Sequence, residues 1–149
     1  MDKRPVGESF IILLVEDEPA HARLVIRSFE EHRISNRIVH VSDGEAALDY
    51  LFQRGLYANP EDSPRPHLIL LDLHLPRIDG LEVLSEIKQD VKLKQIPVVM
   101  LTTSRVERDR MGAYERYVNS YLVKPLEFDQ FIKLMDDLGF YWLGWNFHS

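Results

Sequence analysis

The chain has 149 residues, 45% of them hydrophobic and 28% charged, the balance of an ordinary globular protein with one sizeable core. Its 18 Lys and Arg against 24 Asp and Glu leave a formal charge of -6, which argues against a general nucleic-acid binder, because that needs a basic surface to displace counterions. There is no cysteine, hence no disulfide, thiolate catalysis or thiolate zinc site. No run of about 18 apolar residues is present to span a membrane. The opening MDKRPVGES lacks the apolar stretch of a secretory signal. A cytoplasmic, soluble protein is expected.

In chain order, Phe10 to Val15 is a continuous apolar run, as expected of a strand buried on both faces. After a turn at Glu16-Asp17-Glu18, Pro19 suits a first helical position, and Ala22, Val25, Ile26 and Phe29 follow at helical spacing. Arg37 to Val41 alternates more, which predicts an edge strand. Ser42-Asp43-Gly44-Glu45 fits a capping box that opens a second helix. From Arg54 to Pro66 the chain carries Gly55, Asn59-Pro60, Ser63-Pro64 and Arg65-Pro66, the signals of a long, ordered surface loop. His67 to Leu71 is the next buried run, and Asp79-Gly80 precedes Leu81, Leu84 and Ile87 on one helical face. Ile96 to Leu101 reads as a fourth strand, with a capping box at Ser104-Arg105-Val106-Glu107 behind it. Ser120 to Val123 reads as a short fifth. Phe128, Phe131, Ile132, Met135 and Leu138 then share one face of a last helix.

Buried parallel strands alternating with crossover helices define an α/β fold, a doubly wound parallel sheet with helices on both faces. In such sheets the working crevice lies beyond the carboxyl ends of the strands. There the chain places Glu16-Asp17, Asp72, Thr102-Thr103-Ser104 and Lys124-Pro125. A lone Asp or Thr at a strand end is ordinarily a cap or turn residue. Three carboxylates beside one Lys are harder to place so, because like charges raise each other's pKa and destabilise the fold without a compensating cation. One Lys cannot neutralise three carboxylates. A divalent metal completes the set, and oxygen-only ligands favour a hard ion, Mg2+ (or Mn2+).

VEDE at the first strand end, LLDLHLPRIDG around Asp72, LTTS and YLVKP resemble, in order and spacing, the receiver domain of two-component response regulators over roughly Phe10 to Leu138. The resemblance implies a five-stranded flavodoxin-like sheet of order 2-1-3-4-5. It also implies the roles of the residues. Asp72 matches the phospho-accepting aspartate and Asp17 the principal acidic metal ligand. Glu16 holds the second acidic position, where many receivers have Asp, so contact through water is an alternative to direct ligation. The backbone carbonyl of His74 would supply another metal oxygen. Lys124 matches the phosphate-binding lysine, Thr102 the switch hydroxyl and Tyr121 the switch aromatic, and Lys124-Pro125 a bond that is usually cis in the family.

The implied function is that of a response regulator taking a phosphoryl group from a sensor histidine kinase onto Asp72 with Mg2+. It is a regulatory phospho-acceptor that assists its own phosphorylation and dephosphorylation, not a metabolic enzyme. An aspartate-nucleophile hydrolase of the haloacid-dehalogenase kind would carry a second Asp two positions after the nucleophile, where His74 stands. A flavodoxin would need a Ser/Thr/Gly-rich phosphate loop where Glu16-Asp17-Glu18-Pro19 stands. A pseudo-receiver that only binds partners would normally have lost Asp72, Lys124 or the acidic pair. The six histidines, His21, His32, His40, His67, His74 and His148, show no metal spacing and read as surface or loop residues, His74 counting by position alone.

Residues 1–149 are expected to form a single receiver domain, core about 10–138, with an aromatic C-terminal extension over 139–149 and no output domain. Phe140, Tyr141, Trp142, Trp145 and Phe147 are too many for one amphipathic face, and with Val106, Tyr114 and Tyr117 they suggest an association surface. The Pro-rich loop LYANPEDSPRPHLILLDLHLP, the IKQD-KLKQIPVVMLTTS segment and the aromatic tail look like the cyanobacterial phytochrome-associated regulators. That resemblance implies a phytochrome kinase as donor and a homodimer through the last helices and the tail.

Overall fold

The computed structural model describes residues 10–31, 36–106, 120–125 and 127–137. The chain runs through β1 (Phe10–Val15), α1 (Pro19–Glu31), β2 (Asn36–Val41), α2 (Gly44–Leu51), β3 (Leu68–Asp72), α3 (Gly80–Gln89), β4 (Val98–Thr102), β5 (Ser120–Val123) and α4 (Phe128–Asp137). Short 3-10 turns lie at Gly55–Tyr57, Pro60–Asp62 and Leu93–Gln95. The five strands form one parallel sheet of order β2-β1-β3-β4-β5, the flavodoxin-like arrangement that the sequence predicts.

The apolar runs are continuous because each strand feeds two cores. Leu13, Val15, Ile69, Leu71, Val98 and Met100 meet Ala47, Leu48 and Leu51 of α2 and Val83, Leu84 and Ile87 of α3 on one face. Their neighbours Ile12, Leu14, Leu68, Leu70, Val99 and Leu101 meet Ala22, Val25 and Phe29 of α1 and Phe131 and Met135 of α4 on the other. Phe29 and Phe131 lock these two helices edge to face, with ring centroids 4.9 Å apart. Each fully buried side chain of this size contributes about 2 kcal/mol, so alternation across the sheet stabilises both layers at once. The edge strand β5 is less covered, its Tyr121 packing toward the α2/α3 core and Leu122 toward the α1/α4 core.

Local chemistry moves several boundaries. Pro97 has no N–H for the ladder, so β4 starts at Val98, while the Pro97 carbonyl still accepts from the Ile69 N–H at 3.0 Å. The expected capping box at Ser42 is not the cap. Asp43 is extended and its side chain accepts from the Ala46 N–H at 2.7 Å, so α2 begins one residue later, at Gly44, with a plain Asp cap. Gly44, the first residue of the helix, passes so close to the Ile78 carbonyl that a side chain there would collide with it. Asp79 caps α3, its side chain accepting from the Gly80 N–H at 2.7 Å.

The 54–66 connection is ordered by its own polar groups. The buried Ser63 hydroxyl lies 3.0 Å from the Tyr57 carbonyl and 3.2 Å from that of Asn59, and the Tyr50 hydroxyl donates to the Pro64 carbonyl at 2.6 Å. No helix among the described residues is long and apolar enough to cross a membrane. Arg105 and Val106 are helical, whereas Glu107, Tyr114, Tyr117, Leu138 and the aromatics Phe140, Tyr141, Trp142, Trp145 and Phe147 lie outside the described residues, as do His32 and His148.

Candidate functional site

β2 and β3 lie on opposite sides of β1, which makes the β1/β3 border the point where the winding reverses. Register then aligns the strand ends: Val15 pairs with Leu71, Asp72 with Leu101, and Thr102 with Val123. Glu16 is anchored through its N–H to the Val41 carbonyl at 3.0 Å, and Lys124 through its N–H to the Thr102 carbonyl at 2.6 Å. The Lys124-Pro125 bond is cis, as the resemblance implied.

The Lys124 ammonium stands at the centre of the cluster. It donates to Glu16 Oε1 at 2.7 Å, to Asp72 Oδ2 at 3.0 Å and to His21 Nδ1 at 3.2 Å, which uses all three N–H groups. The opposite carboxylate oxygens are held by backbone: Glu16 Oε2 accepts from the Glu18 N–H at 3.2 Å, and Asp72 Oδ1 from the His74 N–H at 3.1 Å. Both carboxylates are buried, whereas Asp17 is exposed at the rim. Burial pushes the Glu16 carboxyl up, and the neighbouring Asp72 pushes it further, against the lowering effect of Lys124. Burial pulls the Lys124 ammonium down, but its bonds to Glu16 and Asp72 outweigh that and hold it above the ordinary lysine value.

Glu16, Asp17 and Asp72 each present a carboxylate oxygen within 4.8 Å of the other two. Lys124 reaches two of these carboxylates, and among the described residues no cation pairs with Asp17. Excess negative charge and hard oxygen donors at this spacing fit a divalent ion. Thr102 is buried, and its Oγ1 accepts from the Ser104 N–H at 3.1 Å, next to the same crevice. Tyr121 lies further along the sheet, paired in register with Met100, half-buried and with its hydroxyl oxygen shielded from solvent. Of the expected site residues, Glu16, Asp17, Asp72 and Lys124 therefore converge, and Thr102 flanks them. His74 enters through its backbone N–H on Asp72 rather than through the carbonyl, and Tyr121 sits on β5 beside Met100.

Among the described histidines, His40 and His74 are exposed, as expected of surface or loop residues, while His21 and His67 are half-buried and make specific contacts. His21, in the first turn of α1, touches the Lys124 ammonium, and His40 Nε2 lies 2.7 Å from the Glu16 carbonyl, to which it donates. At the other end of β1, His67 Nδ1 accepts from the Ile11 N–H at 2.9 Å.

The model of the response regulator receiver domain matches residues 12–136, and the chain belongs to that family. It is 50% identical over 139 residues to the probable methanogenesis regulatory protein FilR2 of Methanothrix harundinacea (strain 6Ac), an alignment covering 93% of this chain and 87% of the relative. It is 47% identical over 133 residues to the response regulator Rcp1 of Synechocystis sp. (strain ATCC 27184 / PCC 6803 / Kazusa), covering 89% and 88%. The solved Mn(2+)-bound form of Rcp1 superposes with a TM-score of 0.70 over 89% of this chain and 94% of that one. The solved phosphorylated cyanobacterial phytochrome response regulator RcpA, 43% identical, superposes with a TM-score of 0.73 over 91% and 95%.

Proposed function

We propose that this receiver domain takes a phosphoryl group from a sensor histidine kinase onto Asp72 in the presence of Mg2+, and that the modified site changes what the surface binds. The observation that carries this is the Lys124 ammonium on Asp72 Oδ2 at 3.0 Å, inside a cluster of three carboxylates. Asp17, Asp72, the His74 carbonyl and Glu16, the last directly or through water, would hold the ion. When bound, it neutralises charge between the acceptor and the incoming phosphoryl group.

The side chains do the rest. The His74 N–H and Lys124 fix the two Asp72 oxygens, so the carboxylate is oriented before the donor arrives. One Asp72 oxygen attacks phosphorus as the bond to the donor's imidazole nitrogen breaks, leaving an aspartyl phosphate and a free histidine on the kinase. Lys124 donates to a phosphoryl oxygen and stabilises the charge there. Thr102, whose Oγ1 lone pair takes the Ser104 N–H, can then donate its own hydroxyl proton to a phosphoryl oxygen. That draws in the loop after β4 and couples the site to Tyr121 as a two-state switch.

The proposed donor is a phytochrome kinase, supported by the likeness to the phytochrome response regulator RcpA. A kinase of another class is the second reading, favoured by the 50% identity to FilR2, a probable methanogenesis regulator. Likewise proposals are a single receiver domain over 1–149, supported by the 87% and 88% of FilR2 and Rcp1 that the alignments span, and a homodimer through the last helices and the tail.

Intact mass after incubation with acetyl phosphate, with and without Mg2+, tests the chemistry. The expected result is a gain of one phosphoryl group that needs Mg2+ and disappears in Asp72→Asn. No gain in the wild type promotes the non-phosphorylated, partner-binding alternative. Transfer from an autophosphorylated phytochrome kinase, compared with a light-insensitive histidine kinase, separates the two donor readings.

A further inference from the structure

Lys124 sits on the flank of a cavity of about 530 Å3, lined also by His21, Leu24, Ser28, Thr103 and Pro125. A lysine side chain has four flexible carbons, and the space beside this one is wide enough for it to swing into. Two carboxylates hold two of its N–H groups, but both lie on the crevice side, and two acceptors leave the ammonium free to rock about the line joining them. The third acceptor, His21 Nδ1 at 3.2 Å, stands on the cavity wall and turns a hinge into a tripod.

An ammonium only donates, so in this contact Nδ1 accepts through its lone pair. The same Nδ1 lies 3.8 Å from Glu16 Oε1, so the ring borders both members of the Glu16–Lys124 pair.

We propose, resting on the phospho-acceptor role of Asp72, that His21 is a positioning residue that tethers Lys124 through Nδ1 and so holds its ammonium where a phosphoryl oxygen on Asp72 will need it. His21 does not itself touch the reacting atoms. It is also the longest and only uncharged of the three contacts, so it is the one Lys124 gives up most readily when a phosphoryl oxygen arrives.

The test uses the full chain as wild type, His21→Ala and His21→Asn; the Asn side chain returns an acceptor oxygen close to the place of Nδ1. The 15N signal of the Lys124 ammonium, recorded without metal or donor, is expected in wild type and His21→Asn and lost to fast solvent exchange in His21→Ala. With Mg2+ and acetyl phosphate, phosphorylation of His21→Ala should slow roughly tenfold, the order of effect expected when a pre-positioned charge is let loose, while His21→Asn recovers most of the rate. Thermal midpoints of the three should agree, since the His21 side chain is 38% exposed. A Lys124 signal indifferent to the residue at 21, or an Asn variant as slow as Ala, overturns the tether. A wild type that takes up no phosphoryl group, while its Lys124 signal still follows residue 21, overturns the phospho-acceptor role of Asp72 and leaves the tether standing.

Discussion

Glu16 and Lys124, 108 residues apart in the chain, form a 2.7 Å ion pair whose side chains are 1% and 8% exposed. A pair this dry holds the end of β1 to the turn after β5, across the full width of the site. Its geometry also sets a charge imbalance, because the same ammonium is shared with Asp72 and no cation among the described residues balances Asp17.

That imbalance should appear as stability. Asp72→Asn removes one of two buried carboxylates competing for Lys124 and leaves the Glu16–Lys124 pair intact. In metal-free buffer the variant is expected to melt higher than the wild type, roughly 3 °C for about 1 kcal/mol in a chain of this size. A lower melting temperature would sink the crowded-carboxylate account.

Lys124→Met has the opposite sign. It leaves Glu16 and Asp72 buried against each other without a cation, and breaking one side of a buried pair costs about 3 kcal/mol. Millimolar Mg2+ should return part of that loss, with a chelator reversing the gain. Asp17→Asn should blunt the Mg2+-dependent rise in melting temperature in the wild-type background. Equal melting curves with and without Mg2+ in every variant would remove the metal from the site.

Gly80 approaches the acceptor strand so closely that a Cβ would collide with the Asp72 carbonyl and lie 2.7 Å from that of Leu73. An alanine there gains about 1 kcal/mol of helix propensity, but it must push backbone rather than a flexible side chain, and overpacking costs about 1–3 kcal/mol. The collision wins. Gly80→Ala is expected to lower the denaturant midpoint and slow phosphorylation together, because the displaced backbone carries the Asp72 side chain. A variant as stable as the wild type would show that the β3–α3 turn can yield.

Away from the site, the Asp90 carboxylate is held below the ordinary Asp value, first by the N–H of Leu93 and then by that of Lys92, both at 2.9 Å from Oδ1. A depressed carboxyl contributes stability that is present above the unfolded value and lost as pH falls through the folded one. Wild type should therefore be more stable than Asp90→Asn near neutrality, with the difference in urea midpoint closing as pH drops below the usual Asp range. A gap that persists in acid would assign the effect to the shape of the side chain rather than its charge.

Much of this was legible in the residues. Continuous apolar runs meant strands covered on both faces, and the groups ending those runs had to converge once the sheet was parallel. Period and order in the chain suffice to bring Glu16, Asp17, Asp72, Thr102 and Lys124 to one end of the sheet. Caps were less secure, since Ser42 and Asp43 offer equivalent side-chain oxygens and only the folded chain shows that the Asp43 carboxylate takes the Ala46 N–H.

What the linear chain determined was the class of each segment and the chemistry at each strand end, because burial and propensity act over a few neighbouring residues. Tertiary structure alone decided how one ammonium is divided among its acceptors. Lys124 choosing Glu16, Asp72 and His21 over the exposed Asp17 depends on distances between three strand ends and the first turn of α1, and on which carboxylates lose their water. His21 was invisible as a partner for the same reason: a histidine reads as surface until a helix carries it back beside a buried charge.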